Sequence, residues 1–265
     1  MISSFSSLPL KWVTVFVGCV SIALGLAQGQ TQPLPPSTAI PVVFTQSIAA
    51  GQSKSGDKVM AKTIQSVLLS NGQVLPAGNV LAGHIVQSNA FAFDQTPYAV
   101  QKPSVLAVHF DTIGEGPAQI PVSLAMRAIA GSVASHEAEI PHYRDEIDAT
   151  GTRTEIGGAT FSPLEKTVMS PSGDVVGYSR KQGVFARLLS AESANQPSSL
   201  HCDATDSEQS VAIFSADACG VYGLNTVSLA DNGAAADHGT FVLESRRETV
   251  KIDAGSTALL QVVAQ

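Results

Sequence analysis

The stretch HEAEIPH, His136 to His142, is a dense set of metal-capable side chains. His136, Glu137, Glu139 and His142 offer imidazoles and carboxylates, donor types that suit zinc or another borderline cation. The two histidines stand six apart, which is not the HExxH spacing that puts both on one helical face. A loop could bring them together, and a solvated acidic surface would use the same residues without a metal. A second cluster is His201-Cys202-Asp203, with Asp206 and Cys219. Imidazole, carboxylate and two thiolates could bind zinc there as well. His136, Glu137, His142 and His201 are therefore the candidate metal ligands. For the two cysteines a disulfide is the simpler use.

Other chemistry finds less support. Serine hydrolysis needs a nucleophile, a base and an orienting group. No GxSxG elbow occurs, and Gly177-Tyr178-Ser179 lacks the second glycine. A hydrolase would have to assemble its site from separated residues. The carboxylate pairs Asp145/Glu146 and Glu137/Glu139 are local, whereas glycosidase chemistry places two carboxylates across a cleft. Phe91, Phe93 and Tyr98 form the densest aromatic patch, which packing or an interaction surface explains equally well. His84 and His109 fall within apparent strands. No nucleotide-loop motif is present, and no cofactor is expected. The formal charge of −7, with 14% charged residues, argues against nucleic-acid binding, which needs clustered Lys and Arg.

Compartment is easier to read. Lys11 precedes the apolar run Trp12 to Leu26, and small residues follow at Gly25 and Ala27. This is the pattern of a secretory signal peptide over residues 1–27, cut after Ala27 or after Gly29. The alternatives are a retained membrane anchor, which normally needs about 20 apolar residues, and a lipoprotein through Cys19. Export leaves Cys202 and Cys219 as an even pair, hence an expected disulfide. Closing that loop stabilises a fold by about 3 kcal/mol when the geometry is unstrained. The expected location is the periplasm or the exterior, with membrane contact only if the first segment is retained.

Behind these residues lies a β-rich pattern. Residues 28–57 read as a linker, because Pro33, Pro35, Pro36 and Pro41 restrict the backbone. A short strand around Ile40 to Phe44 is the exception within it. The organised domain is expected over 58–265, with a long polar excursion at 135–166 inserted. Apolar alternation in the first half has a period near two. The one helix candidate there is Ala125 to Glu139, which would have to contain Gly131. A further short helix is considered at Val184 to Ala194. VLPAGNVLAGHI, Val74 to Ile85, places Pro76 and Gly78 in a turn and Gly83 at a bulge or bend. VKIDAGSTALLQV echoes it, with Gly255 in the matching turn.

On these residues a resemblance can be stated. Leu75-Pro76-Ala77-Gly78, Leu81-Ala82-Gly83 and Phe110-Asp111-Thr112-Ile113 resemble the turns of the β-barrel domain in the VirB10/TrbI family of conjugation and type IV secretion proteins. The resemblance spans at most residues 58–131 and the terminal strand. It implies a periplasmic scaffold or channel component, not a catalyst. The chain departs from that family in having no long proline-rich arm and no amphipathic helix pair. The expectation is a mainly β, barrel-like or sandwich-like protein. It would serve as an exported, non-enzymatic envelope scaffold or interaction module, partnered by another envelope protein or by itself. A metal- or ligand-binding protein and a dispersed-site hydrolase are the alternatives.

Overall fold

A computed structural model describes residues 33–69, 72–116, 119–141, 151–192, 201–230 and 239–263. The main sheet joins nine strands along one path. Its order in space is Gly220–Tyr222, Leu124–Ala130, Thr257–Val262, Ala39–Phe44, Lys58–Thr63, Val80–Asn89, Ser104–Ile113, Thr240–Ser245 and Val227–Ala230. Every neighbouring pair is antiparallel except Gly220–Tyr222 beside Leu124–Ala130. The sheet curls through 319° into a nearly closed barrel. Its two edge strands follow each other in sequence, with residues 223–226 between them.

Alternation explains which side chains go inside. In Lys58–Thr63, Val59, Ala61 and Thr63 are buried while Lys58 and Lys62 face water. In Ser104–Ile113, Leu106, Val108 and Phe110 enter the core. The interior is packed with side chains: Phe44 and Phe241 flank Phe110 at ring distances of 6.2 and 6.1 Å. Leu81, Ile85, Ile129 and Leu260 belong to the same core. Full burial of one such side chain is worth about 1.5–3 kcal/mol.

Of the expected linker 28–57, residues 28–32 lie outside the described residues and the rest is not simply a linker. Ala39–Phe44 is an inner strand of the barrel, hydrogen-bonded on both sides, and Leu34 is buried in the same core. Pro41 is tolerated for a local reason. A residue's N–H and C=O point to the same side of a strand, and the Pro41 carbonyl accepts from the Ile64 N–H. That side lies beyond Thr63, where the neighbouring strand has ended, so the missing donor leaves no ladder bond unmade.

The polar excursion at 135–166 also needs correction. Ser132–Glu139 is a helix, and residues 142–150 lie outside the described residues. Arg153–Thr154 and Thr160–Phe161 then open a second sheet of six strands. It continues through Thr167–Met169, Val175–Arg180, Gly183–Arg187 and Glu208–Ser210. Val184 therefore starts no helix but lies in a strand of this second sheet. Ala125–Ala130 is strand, and Gly131 caps the helix in extended backbone instead of lying within it.

The second sheet covers part of the barrel's outer face. Ala39, Ala128, Ala130 and Leu259 point outward from three barrel strands into a second core with Phe161, Val168, Ala186 and Phe214. Two buried glutamines stitch the layers. Gln65 donates to the Val184 carbonyl at 2.7 Å and accepts from the Val184 N–H at 2.8 Å. Gln209 accepts from the Ala39 N–H at 2.9 Å. Buried amides satisfied in this way fix register as well as contact.

Candidate functional site

The stretch Val74 to Ile85 and its echo set shape through two glycine turns. Gly78 has φ +81° and donates its N–H to the Thr63 carbonyl at 2.9 Å. The Pro76 carbonyl accepts from the Asn79 side chain at 2.7 Å. In the echoing stretch, Gly255 has φ +87° and donates to the Phe44 carbonyl at 2.9 Å. Both glycines thus dock a turn onto the end of a neighbouring strand. Gly83 sits at a register shift beside Ala82, and a Cβ there would lie 2.1 Å from the His109 carbonyl oxygen.

Cys202 and Cys219 form a disulfide with Cα atoms 6.0 Å apart, so a thiolate zinc site at this position is ruled out. His136 and Glu137 stand on the Ser132–Glu139 helix. His142 lies outside the described residues, and His201 falls in the His201–Cys202 strand. Among the described residues no group of three or more His, Cys, Asp or Glu is arranged to hold a metal ion. His84 and His109 do meet on the sheet surface. The His84 Nδ1 lies 2.9 Å from Asp111 Oδ2, and His109 bonds Thr240 at 3.3 Å.

Beside the disulfide is a residue that sequence reasoning passed over. Leu259 pairs with Ala128 and Leu260 with Met126, which leaves Arg127 as the extra residue of a bulge. Arg127 is only 3% exposed. Its Nε donates to the Ala218 carbonyl at 3.0 Å and its Nη1 to that of Asp203 at 2.6 Å. Its Nη2 reaches the carbonyls of Leu189 and Ala216. Burial pulls its pKa down to about 10, opposed by Asp203, Tyr222 and Asp217. One guanidinium and one disulfide together pin the loops around residues 189, 203 and 216–219 to the barrel. The signal was present: Arg127 is the lone charge in the apolar run LAMRAIA.

This knot positions a cavity of about 360 Å³. Ala134, Glu137 and Ala138 line it from the helix, Glu155 and Ile156 from the second sheet's first turn, and Tyr222 from the barrel edge. Glu155 is 5% exposed, and its Oε2 meets no hydrogen-bond partner among the described residues. Burial raises its carboxyl to about 8; Arg153 opposes the shift and Asp217 adds to it. Nothing in EIGG marks Glu155 in the sequence, because the whole segment reads as solvated.

At the barrel rim a different surface stands out. Residues 90–103 join the long hairpin strands Val80–Asn89 and Ser104–Ile113. Hairpin loops usually need only about 2–5 residues, and much longer ones tend to be functional. This loop is held by its own polar groups. The Thr96 N–H donates to Asp94 Oδ1 at 2.8 Å, and Gln101 Nε2 donates to the Thr96 carbonyl at 2.6 Å. The Thr96 hydroxyl and the Thr96 N–H, both donating to the Asp94 carboxylate, keep that carboxyl below its ordinary value. The loop nonetheless leaves Phe93 78% and Val100 68% exposed.

Comparison with known proteins finds no match to a family model, a curated protein or a solved structure.

Proposed function

We propose that the chain is an exported, non-enzymatic envelope module that holds a partner protein through the loop over residues 90–103. The observation that carries this reading is the exposure of Phe93 and Val100 on a long hairpin loop braced by internal hydrogen bonds. Large apolar side chains presented on a braced loop lose little conformational freedom when they dock, so they suit recognition. Export is supported by the apolar run Trp12 to Leu26 and by the Cys202–Cys219 disulfide, which suits an oxidising compartment. The VirB10/TrbI resemblance points to the same kind of role. Within that resemblance a scaffold is favoured over a channel, because Phe44, Phe110 and Phe241 fill the barrel interior.

The partner is another envelope protein with an apolar docking surface. The test is a Phe93→Ser, Val100→Ser double variant, compared with wild type for proteins recovered after crosslinking in intact cells. The expected result is loss of a specific adduct while the variant keeps its wild-type melting temperature. Recovery of the same adduct from the variant would refute the reading. An adduct with a second copy of the chain would replace the partner by self-association.

A further inference from the structure

We propose that the cavity between the Ser132–Glu139 helix, Glu155 and Tyr222 binds an alkylammonium group, such as a short primary amine or a lysine side chain. The starting point is a buried carboxyl oxygen without a partner. Glu155 lines the cavity, is 5% exposed, and has an oxygen with no hydrogen-bond partner among the described residues. A buried polar atom left in this state costs free energy that an incoming donor returns.

The charges around it specify a cationic donor. Glu137 lines the same cavity from the helix. Asp217 acts on Glu155 from the loop before the barrel edge, and its Oδ1 is likewise buried without a partner. Arg153, the cation acting on Glu155, holds its guanidinium 4.8 Å over the Phe161 ring. Arg127 spends its donors on backbone carbonyls. Much of the remaining wall suits an alkyl chain: Ala134 and Ala138, four apart on the helix, leave space that larger residues would fill, and Ile156 and Thr154 complete the lining. Tyr222 adds an aromatic ring, while its hydroxyl is committed to the Cys219 backbone. Carboxylate, aromatic ring and small apolar walls are the elements that hold organic cations.

Binding carries a proton balance. Free Glu155 keeps its proton up to about pH 8. An arriving ammonium favours the carboxylate, so that proton leaves to solvent. Of the other charged or titratable groups, Glu137 and Tyr222 line the cavity, Arg153 and Asp217 act on Glu155, and Arg127 acts on Tyr222. Burial raises the Tyr222 phenol, so it stays neutral across this range.

The test titrates the oxidised full chain with n-butylammonium, with n-butanol as the neutral counterpart, and with Nα-acetyl-lysine methylamide. Alkylammonium stays charged below about pH 10. Saturable binding of butylammonium is expected at a Kd of about 1 mM, with butanol at least about tenfold weaker. Affinity should rise up to about tenfold per pH unit toward pH 8 and then level off. Glu155→Gln should abolish that pH dependence, and the exposed-side variant Glu137→Gln should weaken binding while leaving the fold intact. Tighter binding of the lysine derivative would make a peptide side chain the natural source; tighter butylammonium would make it a free amine. Equal binding of butanol and butylammonium, no saturation by either amine, or unchanged binding in both variants would overturn the proposal.

Discussion

Arg127 shows how much one side chain can hold. Its donors satisfy carbonyls in segments far apart in sequence, and removing them would leave those acceptors buried and unpaired. Arg127→Met is therefore expected to cost roughly 3 kcal/mol or more, read as a fall in the urea midpoint. Arg127→Lys should not rescue it, because an ammonium lacks the planar fork. Full stability in either variant would contradict this role. Glu155 makes a prediction of opposite character. Its folded pKa of about 8 lies above the ordinary value near 4.5. Between those pH values the folded protein keeps a proton that the unfolded chain has released. Stability falls as pH rises through that window, by up to about 1.4 kcal/mol per unit, and levels off above it. Urea unfolding at about pH 5 and pH 8 checks this: the wild type should lose more stability than Glu155→Gln, and parallel losses would count against it. The disulfide was legible from the pair Cys202 and Cys219, which is what an expected signal peptide carrying Cys19 would leave behind. The carbonyl cluster and the orphan carboxylate were not, because both depend on which distant segments meet.

At the scale of elements, close approach decides more than propensity. Gly83 has no space for a Cβ against the His109 carbonyl, so Gly83→Ala must push two strands apart. The expected loss is about 1–3 kcal/mol by thermal unfolding, and a neutral result would show that the bulge is soft. Gly78 differs: a Cβ there meets nothing within 4 Å, and its requirement is the positive φ alone. Replacing both Cys202 and Cys219 by serine should cost about 3 kcal/mol on the chain-entropy account, and an unchanged midpoint would mean Arg127 suffices to hold those loops. The turns at Gly78 and Gly255 could be read from sequence because glycine chemistry is local. The Ala39–Phe44 strand was partly hidden by its prolines, whose harmlessness depends on where the neighbouring strand ends. The helix was misplaced because apolar Ala125–Ala130 fits either period, and only burial on both faces makes it a strand.

For the whole molecule, the β-rich barrel was visible in the alternation of its strands. The second sheet was not, since its members read as a polar excursion and a short helix. The reason is physical: that sheet packs on small barrel residues such as Ala39, Ala128 and Ala130, so outside Gly183–Arg187, where Val184, Phe185 and Ala186 are all buried, it carries few large apolar side chains. What remains prominent after the cores are packed is the loop over residues 90–103, with Phe93 and Val100 in water. The most direct measurement is photo-crosslinking from a photoreactive residue placed at position 93, in intact cells, with the adducts identified by mass. An adduct with a single envelope protein, absent when the residue is placed instead at the exposed position Leu164, is the predicted result. No adduct at position 93, or the same adducts from both positions, would contradict the proposal that this loop is the docking surface.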